Sequence, residues 1–79
     1  MDKAKIMEKI NKLKNKESEV ESFIRPPEEF GEAVKLYYND KENMFRAIVF
    51  DPDTRINYDE KSLDDVDQAY SFIIQTLDG

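Results

Sequence analysis

The chain contains no cysteine, no histidine and no tryptophan, and only two glycines and three prolines in 79 residues. Each absence excludes a kind of chemistry. Without cysteine there is no disulfide, no thiolate nucleophile and no cysteine-ligated zinc. Without histidine the commonest general base and the commonest transition-metal ligand are missing. Two glycines cannot furnish a glycine-rich phosphate cradle. The longest apolar stretch, residues 47–50, and the Ser-led run 71–74 fall far short of the roughly 20 residues that span a bilayer. The N-terminal residues mix lysine with aspartate and glutamate, which is the pattern of neither a signal peptide nor a transit peptide. The expectation is a cytoplasmic protein without cofactor or metal, not an enzyme, and not bound to a membrane. Ordering 79 residues costs on the order of 100 kcal/mol, which leaves room for one small domain, residues 1–79.

What is abundant is charge. The net charge is -6, but its sign changes along the chain. Residues 1–16 carry six lysines against Asp2 and Glu8, giving +4, whereas residues 17–79 carry 16 acids against six bases, giving -10. Such a domain repels nucleic acid and attracts basic partners. Phe, Tyr, Met, Ile, Asn and Lys outnumber Gly, Ala, Arg and Pro by 33 to 12. That bias accompanies AT-rich coding sequence, as in an AT-rich bacterium or its phage, in which case the compartment is the host bacterial cytoplasm.

Periodicity divides the chain into a Lys-rich amphipathic helix within residues 1–25 and an acidic βββα unit over residues 28–79. Ile6, Ile10, Leu13, Val20 and Ile24 follow at spacings of 4, 3, 7 and 4. This heptad-like seam predicts one helix over residues 3–23, ended by Pro26 and Pro27. The seam is narrow, so it serves either self-association as a homodimer or docking on its own domain. Period-two patterns predict strands over residues 32–39 and 44–50 and a short one over 55–58, linked by turns at 39–43 and 51–54. Ser62-Leu63-Asp64-Asp65 reads as a helix N-cap with an acidic first turn. Leu63, Val66, Tyr70, Ile73 and Leu77 follow at helical spacing to about Thr76. The fold class is α+β: an N-terminal helix, a three-stranded antiparallel meander, and a C-terminal helix packed on one sheet face. Phe50, Ile48, Leu36, Val66, Tyr70 and Ile73 are the expected core.

No motif for catalysis survives inspection. A calcium loop starting at Asp51 fails at Arg55, Ile56 and Ser62. A glycosidase-type carboxylate pair needs a cleft, for which so small a domain has little volume. Tyr37, Tyr38, Tyr58 and Tyr70 suggest a base-stacking platform, but an acidic domain opposes phosphates, so no direct nucleic-acid binding is expected. Carboxylates two apart on a strand lie roughly 6.5–7 Å from each other, and those three or four apart on a helix roughly 5–6 Å. These spacings are similar to those between successive phosphates on a DNA strand. The acids proposed to meet a partner are Glu28, Glu29, Glu32, Glu42, Asp51, Asp53, Asp59, Glu60, Asp64 and Asp67.

In size, charge and lack of catalytic residues, residues 17–78 resemble the small acidic inhibitors that phages make against host DNA-binding proteins. Inhibitors of uracil-DNA glycosylase and of the histone-like HU protein are of this kind. The resemblance includes no shared motif, and the Lys-rich segment departs from it. It implies a DNA mimic: a binding protein that occupies the basic DNA-binding surface of a partner. Two alternatives use the same residues differently. One is an immunity or antitoxin protein that neutralises a basic nuclease or other toxin. The other is a structural or assembly protein that recruits a partner through the seam helix.

Overall fold

The computed structural model describes residues 3–24 and 32–78. Helix α1 spans Lys3–Lys14 and buries Ile6, Ile10 and Leu13, one apolar residue per turn. It stops nine residues earlier than its seam predicts. The Lys16 amide bonds the Leu13 carbonyl at 3.2 Å, and the Glu17 amide bonds the Lys12 carbonyl at 2.8 Å. Lys16 itself adopts φ 63°. This is the Schellman ending of a helix, with lysine in the left-handed position that glycine usually takes. A residue with a Cβ costs about 1–2 kcal/mol there, so nothing in the local composition announces the stop. The Ser18 hydroxyl then donates to the Glu21 carboxylate and leads the chain into strand β1, Glu21–Ile24. Val20 and Ile24, expected on the helical seam, lie outside the helix and are exposed.

Strands β2 (Ala33–Asn39), β3 (Met44–Phe50) and β4 (Asn57–Leu63) follow. Among the described residues the sheet is four-stranded and antiparallel, in the order β1-β2-β3-β4. The extra strand, β1, comes from the segment the seam assigned to helix. Asn39 closes the first turn by accepting the Lys41 and Glu42 amides on Oδ1, and Asn43 takes φ 54°. β4 begins later and runs longer than expected, so Ser62 and Leu63 are strand residues rather than the start of a helix. The cap of α2 (Val66–Asp78) is Asp65: its Oδ1 accepts the Gln68 amide at 2.9 Å, while Gln68 Oε1 accepts the Asp64 amide at 3.0 Å. This reciprocal arrangement closely follows a capping box.

Both helices cover one face of the sheet. Phe23, Val34, Leu36, Phe45, Ala47, Val49 and Leu63 meet Ile6, Ile10, Leu13, Ala69, Ile73 and Leu77 in a single core. The Tyr38 ring meets Phe45 edge-on, centroids 4.9 Å apart. The expected core is corrected at two positions. Ile48 and Phe50 belong to the opposite face, because Phe45, Ala47 and Val49 point inward and side chains alternate along a strand. Leu36 and Ile73 are fully buried as expected, whereas Val66 and Tyr70 pack at the margin, partly exposed.

Candidate protein-binding edge

The register of the hairpins decides where the acids go. Asp51 and Asp53 sit in the β3–β4 loop at one end of the sheet. Phe45 pairs with Leu63, so Asp64, Asp65 and Asp67 emerge at the other end, beside the turn that holds Asp40 and Glu42. Between the two ends, β4 carries Asp59 and Glu60 on opposite faces of an edge strand. Glu32 is exposed just ahead of β2. Glu28 and Glu29 lie outside the described residues.

These acids do different jobs. Asp51 is a clasp for its loop: Oδ1 accepts the Asp53 amide at 2.8 Å and the Thr54 amide at 3.3 Å, and Oδ2 accepts the Tyr58 hydroxyl at 3.0 Å. The Asp53 amide, then the Tyr58 hydroxyl and the Thr54 amide, hold the Asp51 carboxyl below its usual range. The same bond to Asp51, then partial desolvation, raises Tyr58 above the usual phenol range, and the nearby Asp51 and Glu32 charges add to the shift. Glu60 and Glu42 are both held by Arg46, whose Nη1 lies 2.7 Å from Glu60 and Nη2 3.4 Å from Glu42. Those two bonds, the one to Glu60 foremost, raise the Arg46 pKa. Glu60 and Glu42 thus share one guanidinium, and the three groups together keep one net negative charge. Glu32, Asp53, Asp59, Asp64 and Asp67 are exposed and form no ion pair with another described residue.

Three of those five, Asp59, Asp64 and Asp67, lie along β4 and the start of α2. This edge also borders a groove of about 320 Å³ between β4 and α2, lined by Lys61, Leu63, Asp67 and Phe72 among others. Lys61 Nζ stands 5.9 Å from the Phe72 ring centroid across it.

Sequence reasoning missed a second surface, the sheet face that neither α1 nor α2 covers. It carries Ile24, Tyr37, Met44, Ile48 and Phe50, all partly or largely exposed, with Lys35 Nζ 5.2 Å from the Phe50 ring centroid. A signal was present: β3 is apolar at both parities, so its alternation alone does not say which set is inside. The self-association residues are divided by the fold, since Ile6, Ile10 and Leu13 are in their own core while Val20 and Ile24 are exposed. Among the described residues no group of three or more Asp or Glu side chains is arranged to hold a metal ion, and no helix is long and apolar enough to cross a membrane.

Comparison with known proteins finds no match among family models, curated proteins or solved structures.

Proposed function

We propose that this chain is a non-enzymatic binding protein whose acidic edge, β4 and the first turn of α2, occupies the basic DNA-binding surface of a partner protein and blocks its DNA binding. The observation that carries this reading is the row Asp59, Asp64 and Asp67, exposed on one edge and unpaired with any described base. Exposed carboxylates held on a rigid strand and a capped helix keep their spacing, which suits them to a lattice of lysines and arginines. Each such contact contributes well under about 1 kcal/mol, so the edge acts jointly and mainly through steering of association.

The test is competition. The chain is immobilised, basic proteins are captured from bacterial lysate, and a captured protein is bound to a labelled DNA duplex. Adding free chain is expected to release the DNA, less so as salt rises. Joint replacement Asp59→Asn, Asp64→Asn and Asp67→Asn is expected to abolish release while helix content stays constant. Asp51, Asp65 and Glu60 are left unaltered because they clasp a loop, cap a helix and hold Arg46. A stable ternary complex of chain, partner and DNA would overturn the proposal.

A further inference from the structure

The two edges of the sheet differ in what covers their backbone. At β1 the strand has only four residues, and Lys9 of α1 reaches over it. Its Nζ donates to the Ser22 carbonyl at 3.1 Å and stands 5.3 Å from the Phe23 ring centroid. At β4 seven residues run along the edge, all exposed but the last. Among the described residues, no side chain from another element bonds their backbone.

Antiparallel pairing shows which groups of β4 face outward. The Glu60 amide is engaged by Asp59 Oδ1 at 2.8 Å rather than by Ile48, the residue opposite it. Glu60, and Ser62 two residues on, thus aim their N–H and C=O groups away from β3. The groove beside this edge has Leu63 and Phe72 as its apolar lining. An uncovered strand with outward donors and acceptors, next to a slot for a side chain, is the geometry that accepts an added strand.

Charge selects the occupant. Asp59, Asp64 and Asp67 surround a single lysine, Lys61, on this edge, and the whole chain carries -6. A second copy would bring the same acids against their equals, which disfavours pairing. A segment bearing lysine or arginine meets opposite charge on arrival.

Building on the acidic-edge reading above, we infer that β4 is a docking strand for an extended basic segment of the partner. The segment adds to the sheet through the backbone of Glu60 and Ser62. Its apolar side chains enter the groove at Leu63 and Phe72, and the alternate, cationic ones lie on the opposite face beside Glu60 and Glu42. These two carboxylates share the single guanidinium of Arg46 and so keep a net negative charge. Asp59 releases the Glu60 amide when the segment arrives, so the edge stays guarded until then.

The probe is a synthetic peptide, acetyl-Lys-Val-Lys-Phe-Lys-Val-Lys-amide, titrated into the isotopically labelled full chain and followed by NMR and amide hydrogen exchange. The Glu60 and Ser62 amides are expected to shift and to exchange more slowly. Methylating the peptide nitrogens of one alternate set is expected to weaken binding on the order of tenfold or more, through loss of the bonds to β4. Methylating the other set should leave binding unchanged. Ser71→Lys, an exposed substitution in the groove, should weaken binding without unfolding. Equal effects of the two methylated sets, with binding still lost in high salt, would overturn strand addition and leave the acidic-edge reading standing. Shifts confined to Tyr37, Ile48 and Phe50, or protection of Glu60 and Ser62 through a dimer without peptide, would also overturn it. The DNA-release assay reports separately on the acidic edge itself.

Discussion

On the face of the sheet that α1 and α2 cover, Phe45 and Ala47 of β3 are wholly buried, while on the other face Ile48 and Phe50 of the same strand remain partly exposed. The residue types are alike, and the strand that carries both sets is continuous. What differs is the layer above. The stripes Ile6, Ile10, Leu13 and Ala69, Ile73, Leu77 cover one face, and among the described residues no element covers the other. Apolar character on its own therefore does not make a core residue; a second apolar layer does. The uncovered face retains its aromatic and aliphatic side chains with Lys35 and Arg46 laid among them, which keeps the surface wettable.

The sharpest way to break this comparison is to charge each side. Leu13→Asp places a carboxylate at a residue only 2% exposed. The loss is expected to rival the whole net stability of a domain this size, about 4–12 kcal/mol. Val20→Asp, at a position 51% exposed, should change stability by less than about 0.5 kcal/mol. Urea unfolding followed by circular dichroism reads both, and a normally folded Leu13→Asp variant would mean that α1 does not close this core. A second pair of substitutions compares the faces of β3 directly. Phe45→Ala is expected to cost about 3–5 kcal/mol, and Phe50→Ala, partly exposed, under about 1.5 kcal/mol. Equal costs would show that the uncovered face is covered in solution.

Smaller effects sharpen the boundaries. Asp65→Ala should cost about 1 kcal/mol by removing the cap of α2, and Ser62→Ala should cost almost nothing; amide exchange in the first turn of α2 separates them. The smallest effect is titration of the β3–β4 loop. The Asp51 carboxyl is depressed by the Asp53 amide and Tyr58 hydroxyl. Its stabilisation is therefore complete above the unfolded value of about 3.9 and is lost as pH falls through the lower folded value. Asp51→Asn should flatten that acid limb in a pH series of melting temperatures. Tyr58, raised by the same bond, contributes below about pH 10, and its contribution is lost as the phenol ionises at higher pH. Tyr58→Phe should return the Asp51 carboxyl toward its ordinary range, seen by NMR titration.

Much of the fold was legible. Strand β3 and the alternation of β2 followed from period two, and α2 from its apolar stripe, because these patterns are local. The start of α2 was misread since Ser62 and Asp65 are both good caps, and only the bond from Gln68 back to Asp64 distinguishes them. The end of α1 was hidden because its left-handed stop is a lysine, Lys16, rather than glycine. Of the candidate site, the acidic residues were legible and their grouping was not. Arg46 draws in Glu42 and Glu60 from two different elements, and Asp51 is turned inward on its own loop, neither of which a charge count reveals.

The sequence by itself determined the α+β class, the charge excess beyond Lys16, the lack of histidine and cysteine chemistry, and the apolar stripes that must be buried somewhere. Each is a property of residue type or of spacing over a few residues. Only the tertiary structure decided that residues 21–24 become an edge strand, that Phe45 rather than Phe50 is the aromatic anchor of β3, and that Asp59, Asp64 and Asp67 share one edge. Those outcomes depend on long-range pairing and on which face the helices cover, and a one-residue change of parity exchanges the two faces at no local cost.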